Sequence, residues 1–182
     1  MTGAVSPSFA KSLIAHLPRL RRYAAGLSGS VAAADDLVQD CIERALTHAE
    51  SLKDMERMGP WLRSIVYNLY TDEIRKRQRR GLNVDIMDMS NDIALSISPG
   101  GQGGAEDILR ALDCLSAEHR QILLLAGIED LGYREISEEL GIPMGTVMSR
   151  LARARERLRC ALEAKESPPS NVHLLAERKS VR

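Results

Sequence analysis

The chain has 182 residues, 44% of them hydrophobic but only 3% aromatic, and its 25 basic and 25 acidic side chains cancel to a formal charge of zero. That length suits one medium domain or two small ones; the few aromatic residues argue against a β-sandwich, and the richness in Ala, Leu, Arg and Glu leans toward helices. No apolar run approaches the ~20 residues that span a bilayer, the N-terminus shows no signal peptide, and the three scattered cysteines, Cys41, Cys114 and Cys160, form no CxxC or Cys/His cluster, so no membrane insertion, disulfide framework, metal site or cofactor is expected and the cytoplasm is the expected compartment.

Apolar residues recur at helical spacing over 9–27 (Leu13, Leu17, Leu20, Ala24, Leu27), and Ser28-Gly29-Ser30 marks a turn. A second helix is predicted over 33–49, with Leu37, Val38, Cys41, Ile42, Ala45 and Leu46 on one face. Its surroundings are acidic, with seven acids against two bases over residues 35–56. Residues 51–60 read as an irregular link, and Pro60 suits the first turn of a helix running from Trp61 to about Arg79, with Leu62, Ile65, Val66, Leu69 and Ile74 inward. Here the charge reverses: residues 61–81 carry six bases against two acids, ending in Arg75, Lys76, Arg77, Arg79 and Arg80, with Trp61, Tyr67, Asn68 and Tyr70 interleaved. Aromatics beside cations suit bases taken out of a stack with phosphates held nearby, although Trp61 by itself reads first as core packing.

Residues 80–107 hold five of the thirteen glycines, five acids past residue 81 and no strong period, which reads as a flexible acidic linker. A second helical block begins near Glu106, with Ser116 as an N-cap and His119 a surface or capping residue just after it. In the segment Tyr133–Leu140, Ile136 and Leu140 face inward; Gly141 can take the left-handed conformation that ends a helix, and Pro143 suits the start of the next. Helix, three-residue turn, helix is the helix-turn-helix pattern. On the second of these helices Val147, Leu151, Ala154, Leu158 and Leu162 fall in one arc of about 80°. Thr146, Ser149, Arg150, Arg153 and Arg157 lie on the opposite, exposed side, and Ser149, Arg150 and Arg153 share a face with the N-terminal half that a recognition helix pushes into the major groove. Arg155 and Arg159 lie beyond the other edge of the apolar stripe, and Arg155, Arg157 and Arg159 are placed for phosphates or surface ion pairs. The tail past residue 163 has a Pro-Pro break and reads as poorly ordered. Two basic elements joined by a flexible linker suit two contacts on one duplex, which raises avidity.

The stretches "ADDLVQDCIERAL", "WLRSIVYNLYTDEIRKRQRR" and "LSAEHRQILLLAGIEDLGYREISEELGIPMGTVMSRLARARERL" resemble, in that order, the extracytoplasmic-function sigma factors of bacterial RNA polymerase. The resemblance implies an all-α protein of two helical domains: region 2 over 9–80 and region 4 over 106–163, joined by a linker over 81–105 and followed by a tail over 164–182. It implies that Asp36, Leu37, Gln39, Asp40, Glu43 and Leu46 dock on the clamp coiled coil of the β′ subunit, and that region 4 meets the β flap. Leu52, Trp61, Asn68, Arg75, Lys76, Arg77, Arg79 and Arg80 are matched to recognition of the promoter −10 element, and Thr146, Met148, Ser149, Arg150, Arg153, Arg155 and Arg157 to the −35 element. Leu52 stands where relatives often carry an aromatic, and Met148 where many have Arg or Lys. An anti-sigma factor is the further partner implied. Two other classes fit less of the chain: a helix-turn-helix regulator acting without core polymerase leaves residues 35–80 unexplained, and a sigma-like decoy would be expected to lose the basic residues kept here. No Ser/His/Asp or metal-ligand spacing points to an enzyme.

Overall fold

The structure, a computed structural model, describes residues 6–80 and 104–166. Among them are seven α-helices, two short 3-10 turns and no strand, so the all-α expectation holds. The expected linker, but for its last two residues, and the tail beyond residue 166 lie outside the described residues. Helix α1 spans Pro7–Ser28, α2 Val31–Thr47, α3 Met58–Arg79, α4 Gly104–Asp113, α5 Ala117–Gly127, α6 Tyr133–Leu140 and α7 Met144–Glu166.

Capping sets the helix ends more tightly than apolar spacing could. Ser6 Oγ accepts the Phe9 N–H at 3.2 Å and Pro7 sits at the first position, so α1 begins two residues before the apolar pattern does. Gly29 is left-handed (φ 69) and donates its N–H to the Ala25 carbonyl at 2.9 Å, and Ser30 accepts from the Ala33 N–H at 3.4 Å. One Ser-Gly-Ser turn therefore closes α1 and opens α2. The segment expected to be irregular carries two 3-10 turns, Ala49–Ser51 and Met55–Arg57, the second capped by the Asp54 carboxylate. Because Met58 and Gly59 are already buried and helical, α3 starts three residues before Trp61.

Helices α1, α2 and α3 pack around Leu13, Leu20, Tyr23, Leu27, Val38, Cys41, Met58, Leu62 and Val66. Of the residues expected inward on α3, Leu62, Val66 and Leu69 are buried, while Ile65 and Ile74 are half-buried against the core. Helices α4 to α7 close around Leu112, Leu115, Ile122, Leu125, Ile136, Val147 and Leu151. The two bundles also pack on each other, α1 against α4 and α5. The approach is close: a Cβ on Gly26 would fall 2.3 Å from Leu124 Cδ2, so only glycine admits the leucine there.

Cys41 is fully buried, its thiol donating to the Leu62 carbonyl at 3.6 Å, and burial pushes its pKa up to about 12. Cys114 and Cys160 are exposed. Iodoacetamide at pH 8 is therefore expected to alkylate Cys114 and Cys160 in the native chain and Cys41 only after denaturation, as read by peptide mass spectrometry; native-state labelling of Cys41 would contradict this core.

Candidate functional site: charged faces and the junction between them

On α2, Asp36, Gln39, Asp40 and Glu43 are exposed along one side at helical spacing, with Gln39 Nε2 donating to Glu43 Oε1 at 3.3 Å. None of the three acids pairs with a base among the described residues, whereas the neighbouring Asp35 is held by Arg21 at 3.2 Å. Leu46 is exposed beside this row, and Leu37 is half-buried against the core. The fold thus leaves an exposed acidic strip with Leu46 at its rim.

Helix α3 divides its positive segment among several faces. Trp61, Asn68, Arg75 and Arg79 fall within about 40° of one another on the wheel. Lys76, Arg77 and Arg80 point elsewhere, and Leu52 is half-buried in the turn before the helix, packed on the core. Trp61 is half-buried with its ring edge-on to Phe9 (centroids 6.2 Å apart), so the packing reading of this residue holds. Arg75 pairs with Asp72 at 3.6 Å and Arg77 with Glu73 at 3.1 Å, both in solvent, where such pairs contribute little.

The helix-turn-helix forms as the pattern predicts. Gly141 is left-handed (φ 63), the Ile142 N–H donates to the Ser137 carbonyl at 3.2 Å, and Ser137 Oγ donates to the Ile142 carbonyl at 2.6 Å. Pro143 immediately precedes α7 and its carbonyl accepts from the Thr146 and Val147 N–H groups. Val147, Leu151 and Ala154 are buried, and Ser149 and Arg153 project to solvent opposite them. Thr146 and Arg150 share that side but are half-buried, and Arg150 is taken by Glu118 of α5 at 3.2 Å. Met148 is exposed on the side of Arg155 and Arg159, about 100° from Ser149, so it does not join the Ser149–Arg153 group. Arg159 is held by Glu156 and Glu163, both at 2.6 Å; Arg153, Arg155 and Arg157 form no ion pair among the described residues.

The structure also shows a site that the apolar and charge patterns did not point to. Arg63, one of the six bases of the α3 segment, is 7% exposed. Its Nε and Nη2 donate to the two carboxylate oxygens of Glu139 on α6, at 2.8 and 2.5 Å, and its Nη1 donates to Glu129 at 2.7 Å. Burial alone lowers the Arg63 pKa, but the hydrogen bond and charge of Glu139, with the charge of Glu129, outweigh it and leave it above its ordinary value. The turn delivering Glu129 passes through Asp130 at φ 61, a left-handed conformation that aspartate tolerates. A second buried base, Arg120 of α5, donates from Nη1 to the Leu27 carbonyl of α1 and, at 3.0 Å, to the Tyr70 hydroxyl of α3, and pairs with Asp113 at 3.1 Å. The clue in the sequence was faint: Arg63, Tyr67 and Tyr70 recur at helical spacing, on a different side of α3 from Leu62, Val66 and Leu69.

Against this geometry the relatives are informative. The family described as Sigma-70 region 2 matches residues 13–80, and Sigma-70 region 4 matches residues 105–158. The chain is 34% identical over 160 residues to the ECF RNA polymerase sigma factor EcfG of Rhodopseudomonas palustris, covering 87% of each. It is 36% identical over 152 residues to the ECF RNA polymerase sigma factor SigL of Mycobacterium tuberculosis, covering 81% of this chain and 85% of that one. In three dimensions it matches the sigma factor RpoE of Bartonella quintana, solved in complex with the anti-sigma factor NepR, with a TM-score of 0.69 and 31% identity, over 87% of this chain and 98% of that chain. The chain belongs to the sigma-70 family, among the extracytoplasmic-function RNA polymerase sigma factors. It is a transcription initiation factor of RNA polymerase rather than an enzyme.

Ser116 caps α5 as expected, accepting from the His119 N–H, and its Oγ lies 3.0 Å from His119 Nδ1. Burial, then the charge of Arg157, lowers the His119 pKa. The folded state thus resists protonation more than the unfolded chain does, so this contribution to stability is present above the unfolded pKa of about 6.5 and is lost as pH falls through the folded value. The urea midpoint is expected to fall as pH drops from 7 to 5, with the His119 share of that fall absent in His119→Gln; identical pH profiles for the two would overturn the assignment.

Proposed function

We propose that the separated charged faces assign the two partners of this sigma factor. The acidic strip of Asp36, Gln39, Asp40 and Glu43, flanked by Leu37 and Leu46, docks on the β′ clamp coiled coil, and region 4 meets the β flap. Unpaired carboxylates repel DNA and suit a basic protein surface. The α3 face of Trp61, Asn68, Arg75 and Arg79, with Leu52, Lys76, Arg77 and Arg80 around it, takes the −10 element. Ser149 and Arg153, with Thr146 and Arg150 beside them, read the −35 element, while Arg155, Arg157 and Met148 contact backbone or sugar at the groove edge. The domain limits that go with this reading are 9–80 for region 2, 81–105 for the linker, 106–163 for region 4 and 164–182 for the tail. The site of action is the cytoplasm, and no described helix is long and apolar enough to cross a membrane. An anti-sigma factor that holds the chain inactive until a stress signal releases it is the third partner; the Bartonella relative was solved bound to one.

The observation carrying this reading is that exposed acids on α2 and exposed bases on α3 and α7 sit on separate elements of a chain with no net charge. Run-off transcription on fragmented genomic DNA, with core polymerase with and without the protein, tests it: discrete new 5′ ends sharing two spaced upstream elements are the expected result. Arg153→Ala is expected to cost about 1–3 kcal/mol of promoter affinity and to lower −35-dependent transcription while core binding stays intact. Asp40→Lys is expected to weaken core binding at least about tenfold, because it sets a cation against a basic surface. If core binding is unmoved by Asp40→Lys and Gln39→Ala, the α2 assignment fails; if core does not retain the wild-type chain, the whole reading does.

A further inference from the structure

We propose that Met148 is a specificity-determining residue of the −35 interaction, which reads a thymine by contact of its thioether side chain with the C5 methyl group, on the wall of the major groove opposite Arg153. This role rests on the reading of Ser149 and Arg153 as contacts to the −35 element, and it adds a base to the groove-edge position that Met148 has there.

Met148 is 49% exposed, and the core does not need it: Val147 and Leu151 beside it are fully buried already. Between residues 144 and 153, the arc of α7 from Met148 round to Arg153 holds only Gly145, Ala152 and Ser149, all exposed, and a Cβ on Gly145 would meet nothing within 4 Å. Met148 and Arg153 flank that arc, about 140° apart about the helix axis. A helix entering the major groove with this arc foremost comes close to the base edges, because no long side chain stands between. Met148 then reaches toward one wall and Arg153 toward the other. Arg155 lies within about 20° of Met148 and roughly 10 Å further along the axis. It forms no ion pair among the described residues, which leaves it for the phosphates of the strand on the Met148 side.

The chemistry of the side chain selects its partner. A thioether has no donor and is only a weak acceptor, so it gains nothing from phosphate oxygens and cannot make the paired hydrogen bonds that arginine makes to guanine. The apolar group that a base presents in the major groove is the thymine C5 methyl, which stands on the side of the groove nearest the backbone of its own strand. An unbranched, polarizable methionine adapts to such a methyl as it does to irregular gaps in a core. Met144, one turn earlier and about 40° away, is 51% exposed and broadens the apolar surface. The sugar is the other apolar surface within reach, but it is the same at every position and carries no sequence information. No described residue of α7 enters the clasp of Arg63 by Glu129 and Glu139, so substitution at Met148 leaves the junction between the bundles alone.

The test uses core polymerase loaded with the full-length chain and duplexes carrying a promoter mapped by run-off transcription. Each thymine of the −35 region, on either strand, is replaced in turn by deoxyuridine, which removes the C5 methyl and nothing else. At one or more positions the replacement is expected to weaken wild-type binding about three- to fourfold, the effect of burying one methyl group. Met148→Ala is expected to bind the thymine and uracil duplexes alike, and so is Met148→Gln, which keeps the length and helix propensity of the side chain. Arg153→Ala is expected to bind both duplexes more weakly at an unchanged ratio. A −35 region without an A·T pair, the absence of any methyl-sensitive thymine, or a methyl effect that survives Met148→Ala or Met148→Gln each overturns the role of Met148. If Arg153→Ala leaves promoter affinity unmoved, or core does not retain the wild-type chain, the −35 assignment beneath it fails instead.

Discussion

Everything at the junction of this molecule is organised around one desolvated cation. A guanidinium at 7% exposure cannot stand alone in a core, and its three hydrogen bonds come from two acids 66 and 76 residues away along the chain. Meeting that demand places α6 against α3 and brings the Glu129 turn beneath it. The remaining contacts then follow: α5 lies along α1 closely enough to require glycine at 26, and Arg120 reaches the free carbonyl near the end of α1. Apolar burial builds each half separately; the polar contacts decide how the halves meet. That division matches the general behaviour of buried ion pairs, which define an arrangement better than they stabilise it.

The same constraint reshapes how the protein's charge is to be read. Counted along the chain, α3 and α7 are both strongly positive, yet Arg63 is neutralised internally, Arg150 is shared with Glu118, and Arg159 is occupied by two glutamates of its own helix. The charge left for a polyanion is smaller and better localised than the count: Arg153, Arg155 and Arg157 on α7, and Lys76, Arg79 and Arg80 at the end of α3. A net charge of zero thus conceals a partition into internal ties, one exposed acidic face and two exposed basic ones.

Most of the fold was legible because it is local. The apolar stripe of α7, the Gly141-Ile142-Pro143 turn and the Ser-Gly-Ser corner each place a physical requirement within a few residues, and the structure meets all three. Helix starts at Pro7 and Met58 were missed because capping and burial, not periodicity, set them. Met148 is matched to the −35 element by the resemblance, and on α7 it lies about 100° from Ser149, as neighbouring positions on a helix do. The junction was barely legible: Arg63 reads as one more member of a basic run, and its helical spacing with Tyr67 and Tyr70 does not indicate that acids far along the chain will enclose it. Long-range polar pairing leaves no period to detect.

The clasp also bears on how the two halves can be inherited. A guanidinium on one bundle and two carboxylates on the other form a lock and key carried within a single chain. Exchanging region 4 for one with uncharged residues at the places of Glu129 and Glu139 would seal Arg63 into an interface with no counter-charge. Region 2 grafted without its arginine would likewise leave two acids facing each other in the same buried space. Recombination between such proteins at the linker, the obvious seam, is therefore constrained by three side chains far from it, and change at any one of them calls for change at the other two.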